Sequence, residues 1–118
     1  MRIPMISTAL LVAALASPPA QAHAFLDHAS PLVGSTVSTA PRQVTLSFTQ
    51  NLEPAFSSVE VTNTAGARVD TGKPRISGHT MRIGLKHLGP GTYRVHWRAL
   101  SADTHTTQGS FAFHVGGR

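Results

Sequence analysis

Tyr93-Arg94-Val95-His96-Trp97-Arg98-Ala99 is the stretch on which the fold turns. Its apolar residues, Tyr93, Val95, Trp97 and Ala99, occupy every second position, with Arg94, His96 and Arg98 between them. A period of two is that of a strand with one buried and one wet face, whereas a helix needs apolar residues three and four apart. The same alternation recurs on both sides. Val44, Leu46 and Phe48 alternate with Gln43, Thr45 and Ser47; Val59 with Val61, and Met81 with Ile83 and Leu85, repeat it; Phe111, Phe113 and Val115 close the chain. Turn formers punctuate these runs at Ser30-Pro31, Ala40-Pro41, Ala65-Gly66, Gly72-Lys73-Pro74, Ser77-Gly78 and Gly89-Pro90-Gly91. With short strands near Ala24, Val69 and Ile76, the spacing predicts an all-β antiparallel sandwich of about seven strands. Its core is expected to rest on Phe48, Trp97, Phe111 and Phe113.

The chain has 118 residues, room for one domain. Residues 1–22 have the build of a secretory signal peptide: Arg2, then the apolar run Thr8 to Ala16, then the small-x-small site Ala20-Gln21-Ala22. The apolar run is too short to span a bilayer. Export is therefore expected, with residues 23–118 as the mature domain and His23 as its first residue. The net charge is +5, and +4 once Arg2 is lost. The basic residues are scattered, with no aromatic-interleaved run, so a solvated face is expected rather than a nucleic-acid surface. There is no cysteine, which excludes thiolate catalysis, cysteine-type zinc sites and iron–sulfur clusters. Met81 is the one sulfur donor beyond the leader.

Of seven histidines, position singles out two. His79 and His87 adjoin turns, and His96 and His114 lie in the polar phase of their strands, where ordinary surface histidines are found. His28, beside Asp27, is either a surface residue or a peripheral ligand. His23 differs because processing turns it into a residue with a free α-amine beside its imidazole, and the two together can chelate one ion; the alternative is that cleavage exposes an arbitrary residue. Asp103-Thr104-His105 places a carboxylate and an imidazole two residues apart, on one side of an extended segment. Alone, such a pair is most often a hydrogen-bonded loop. Joined to His23 it makes three nitrogens and one oxygen, a set suited to tetragonal Cu(II), although zinc can use the same donors in a tetrahedron.

These residues resemble the CopC-like periplasmic copper-binding proteins over nearly all of the mature chain. The resemblance is carried by His23-Ala24-Phe25-Leu26 with Ser30-Pro31-Leu32-Val33-Gly34-Ser35, and by Ala40 to Phe48. It continues in Gly89 to Arg98, Ser101-Ala102-Asp103-Thr104-His105 and Gly109-Ser110-Phe111. It implies a Greek-key, immunoglobulin-like β-sandwich or barrel. One Cu(II) per chain would be held by the amine and ring of His23, a ring nitrogen of His105 and an oxygen of Asp103. It also implies copper homeostasis or resistance, by buffering copper or passing it to a CopD-like inner-membrane transporter, with the protein acting as a monomer. Two features depart from some members. Thr62 to His79 holds no methionine, and Thr49-Gln50-Asn51-Leu52 stands where a glutamate lies near copper elsewhere. Gln50 is not expected as a ligand, Glu53 is a weaker candidate still, and whether water or Gln50 completes the sphere is left open by the sequence.

Two other functions compete. A histidine-brace copper monooxygenase would use the same terminus. It is disfavoured by the short disulfide-free chain, by a lone Trp and lone Tyr in a buried phase, and by a carboxylate that favours Cu(II) over Cu(I). An immunoglobulin-like interaction module without metal is permitted by the fold alone. The expected protein is not an enzyme.

Overall fold

The computed structural model describes residues 24–117, so the expected signal peptide and His23 lie outside the described residues. Eight strands run in chain order: β1 Leu26–Ser30, β2 Thr36–Val37, β3 Gln43–Phe48, β4 Ser58–Asn63, β5 Arg75–Ser77, β6 Thr80–Gly84, β7 Gly91–Leu100 and β8 Thr106–Val115. They form two four-stranded sheets, ordered β1-β3-β6-β5 and β2-β8-β7-β4. Only the β5–β6 and β7–β8 connections join neighbours within one sheet; elsewhere the chain crosses from sheet to sheet. The β-sandwich expected from the alternation is the fold observed.

The alternation predicts the buried phase correctly. Tyr93, Val95, Trp97 and Ala99 are buried, as are Val44, Leu46, Phe48, Val59, Val61, Met81, Ile83, Phe111, Phe113 and Val115. Phe48 of one sheet meets Trp97 of the other edge-on, with centroids 5.1 Å apart and planes at 73°. Tyr93 stacks on Phe113 at 5.6 Å and donates its hydroxyl to the Gly89 carbonyl at 2.7 Å, so a large ring is buried with its polar atom satisfied. Gly109 faces the indole: a Cβ there would stand 2.7 Å from Trp97 Cζ2.

Three details differ from the reading of the sequence. β2, two residues long, is too short to show a period and is not among the expected strands. β2 also pairs parallel to β8, through Thr36 with His114 and Val37 with Val115, so the sandwich is not wholly antiparallel. The expected strand at Val69 is instead a half-buried link held by isolated bridges from Arg68 to Thr62 and from Asp70 to Leu85. Asp70 organises that link: its buried carboxylate accepts from the Val61 N–H at 2.7 Å, the Gly72 N–H at 2.8 Å and the Arg68 guanidinium at 2.9 Å. Burial opposes ionisation of Asp70, but these donors outweigh it and hold the carboxyl below its ordinary value.

Candidate metal centre

The β7–β8 hairpin aligns ten residue pairs, from Gly91 with Val115 to Leu100 with Thr106, and so fixes where its connecting turn emerges. That turn carries Asp103 and His105. It is closed by Thr104 N–H donating to the Ser101 carbonyl at 2.8 Å and Ser101 N–H to the His105 carbonyl at 3.0 Å. Ser101 is 1% exposed and pairs with Leu52 across a bridge, which roots the turn in the core. Its hydroxyl donates to Asp103 Oδ1.

The extended segment expected at Asp103–His105 is not what is found. Thr104 has φ 71°, a left-handed conformation that a β-branched residue adopts at a cost of about 1–3 kcal/mol. The two side chains meet because the chain reverses between them. Asp103 Oδ2 and His105 Nδ1 lie 3.2 Å apart, and both side chains are substantially exposed. The Ser101 hydroxyl is the main influence holding the Asp103 carboxyl below the ordinary range; desolvation opposes it, and the His105 ring and N–H reinforce it. An ionised carboxylate beside an imidazole is a hard anionic donor next to a borderline one. Donors about 2.0–2.2 Å from one ion and at right angles stand about 2.8–3.1 Å apart. The 3.2 Å observed is also the length of a direct hydrogen bond between the two groups, which is the contact they make here.

The start of the described chain is fastened beside this turn. Ala24 is 0% exposed, and its carbonyl accepts from the hydroxyl of Thr107, two residues beyond His105. Phe25 N–H donates to Thr49 Oγ1 at 3.0 Å, and Thr49 N–H returns to the Phe25 carbonyl at 2.9 Å. Two residues on, the Asn51 carbonyl accepts from Ala102 N–H at 3.3 Å. Half-buried Gln50 therefore lies on the segment that bridges the N-terminal strand and the Asp103 turn.

The other candidates are not gathered here. His28 sits on β1, its Nδ1 3.1 Å from Asp27 Oδ2, and is well exposed. Glu53 donates its N–H to the Leu100 carbonyl and is exposed. Among the described residues no third His, Cys, Asp or Glu joins Asp103 and His105 in a group able to hold a metal. His114 bonds Thr92 Oγ1 at 2.9 Å. Reading the sequence missed Ser101 and Thr107, the hydroxyls that aim the turn and hold the N-terminal segment against it. The Ser-x-Asp spacing, typical of side-chain-closed turns, was the available signal for the first; Thr107 had none, since its partner is 83 residues away.

Residues 26–116 match the CopC domain. This chain belongs to the CopC family. It is 41% identical over 119 residues to copper resistance protein C of Xanthomonas campestris pv. juglandis, covering 92% of this chain and 93% of that one. It is 38% identical over 99 residues to the copper transport protein CutJ of Bacillus subtilis; there it spans 80% of itself but only 18% of the relative's length. The crystal structure of PcoC, a methionine-rich copper resistance protein from Escherichia coli, superposes with a TM-score of 0.70 at 36% identity, covering 80% of this chain and 99% of that one. The chain is thus a CopC-like copper resistance protein. It departs from a methionine-rich pattern: Met81, the one methionine after residue 22, is fully buried in the core of this CopC domain.

Proposed function

We propose that this CopC-family protein is exported to the periplasm, cut after Ala22, and binds one Cu(II) ion through the α-amine and ring of His23, a ring nitrogen of His105 and the carboxylate of Asp103. It then buffers copper or hands it to a CopD-like inner-membrane transporter, acting as a monomer. The observation that carries this reading is the tie between Ala24 and Thr107. That bond sets Ala24, the first described residue, against the strand that leaves the Asp103–His105 turn, a turn whose own donors number two. A carboxylate and imidazoles without sulfur favour Cu(II), and chelation by one residue's amine and ring adds a second bond at little further entropic loss.

The oxygenase reading gains no support from Trp97 and Tyr93, which are 6% and 7% exposed; sustained substrate turnover with a reductant would revive it. The deciding experiment is a Cu(II) titration of the exported protein, its N-terminus checked by mass spectrometry, followed by electron paramagnetic resonance. One equivalent with a nitrogen-rich tetragonal spectrum, abolished in His105→Ala, is expected. Several weak equivalents, or a spectrum indifferent to that substitution, would refute the ligand set.

A further inference from the structure

The basic residues look scattered in sequence, yet β5, β6 and the segment just ahead of β5 bring three of them to one place. Arg75 and Arg82 are direct cross-strand partners in the antiparallel β5–β6 pair. Both are exposed, while their strand neighbours Met81 and Ile83 point into the core, so the two guanidinium groups share the outer face. Directly opposed side chains have Cβ atoms about 4.5–5.5 Å apart, and like charges in that relation destabilise a sheet. With Lys73 they line a groove of about 270 Å³, completed by Gln43, Thr71 and Gly84, with no carboxylate in its wall. Among the described residues four of the five acidic groups pair elsewhere, Asp27 with His28, Glu60 and Asp70 with Arg68, Asp103 with His105, and the fifth, Glu53, does not line the groove. None forms an ion pair with Lys73, Arg75 or Arg82.

The floor of the groove is shaped as well as charged. Thr71 donates its N–H to the Gly84 carbonyl at 2.9 Å, and a Cβ at Gly84 would stand 3.0 Å from Thr71 Oγ1. Glycine there leaves space for the threonine hydroxyl. Beyond Thr71 and Gly84 a second groove of about 660 Å³ continues the surface and adds Arg42 and Lys86.

We propose that the Lys73–Arg75–Arg82 groove is a binding site for a phosphate group, inorganic or carried on a lipid headgroup. Two guanidinium forks and an ammonium supply the charge-assisted donors that a tetrahedral oxyanion accepts, and a hydroxyl and an amide stand beside them. No aromatic side chain lines the groove, which separates it from surfaces that stack nucleic-acid bases. A bound phosphate relieves the Arg75–Arg82 repulsion, so the same ligand that fills the groove stabilises the sheet.

The test is a titration of the protein with inorganic phosphate at constant ionic strength, followed by amide NMR, alongside sedimentation with phosphatidylglycerol or phosphatidylcholine vesicles. Saturable shifts confined to Thr71, Lys73, Arg75, Arg82 and Gly84 are expected, weakened at least tenfold in Arg75→Gln/Arg82→Gln. That variant should melt no lower than the parent in phosphate-free buffer, because it removes a repulsion, and should lose the phosphate-dependent rise in Tm. Should it not fold, Lys73→Gln serves with the same readout and the same expected direction. Capture by phosphatidylglycerol but not phosphatidylcholine vesicles, competed by phosphate, assigns a headgroup; saturable shifts without capture assign free phosphate. Shifts that chloride reproduces, shifts unchanged in the variants, or vesicle capture without any groove-specific shift would overturn the site.

Discussion

Asp103 and His105 were legible as a pair from sequence, but the reason they meet was not. Two-residue spacing suggested an extended segment, whereas Thr104 at φ 71° and the Ser101 hydroxyl build a reversed turn. Adding one residue ahead of His23 converts its amine to an amide. Under the proposed ligand set, copper affinity measured by competition against a chelator should then fall at least tenfold while the melting temperature of the metal-free protein holds. Unchanged affinity would remove the terminal amine from the site. Gly109 makes a second residue-level prediction. A methyl group there would press to 2.7 Å of Trp97 Cζ2, so Gly109→Ala should destabilise by about 1–3 kcal/mol in urea unfolding. No alternation pattern exposes that requirement, because it comes from a ring on the neighbouring strand.

At the scale of elements, strands with several alternating residues were readable, and those shorter than a full period were not. β7 and β8 announce themselves; β2, with two residues, exists because β8 offers it a partner. The link around Val69, expected as a strand, bonds backbone to backbone at Val69 and Thr71 but forms only isolated bridges, and the Asp70 carboxylate takes the Val61 and Gly72 N–H groups beside it. Asp70→Ala should cost about 2–4 kcal/mol, since it strands the Val61 and Gly72 N–H groups and leaves Arg68 with Glu60 alone. The same carboxylate sets a pH dependence. Its folded-state pKa lies below the unfolded value of about 3.9, so its contribution is complete above that pH and is lost as pH falls through the folded pKa. Parent stability, followed by chemical unfolding, should therefore fall more steeply below about pH 4 than that of Asp70→Asn. Parallel profiles would contradict the role given to Asp70.

At the scale of the whole molecule, Phe48 and Trp97 join the two sheets, and the proposed copper site would depend on that sandwich only through its ends. Phe113→Ala, at a fully buried position, should cost about 3–5 kcal/mol and lower the melting temperature without changing the copper spectrum of the folded fraction. A ligand held only by the folded state must stabilise it: Cu(II) at a hundred times its dissociation constant should add about 2.7 kcal/mol. That gain should vanish in His105→Ala. A melting temperature indifferent to Cu(II) in the parent would count against the metal site itself.

By itself the sequence determined the class of fold, the buried phase of the long strands and the residue types available for metal. Each of these follows from local chemistry: a period of two, the burial preference of apolar side chains, and donors written into the chain. Only the tertiary structure decided which distant residues become neighbours. It tied Ala24 to Thr107, rooted the Asp103 turn in Ser101, and set Arg75 opposite Arg82. Those juxtapositions arise from strand register and sheet-to-sheet crossings, properties of the packed chain to which no short window of residues gives access.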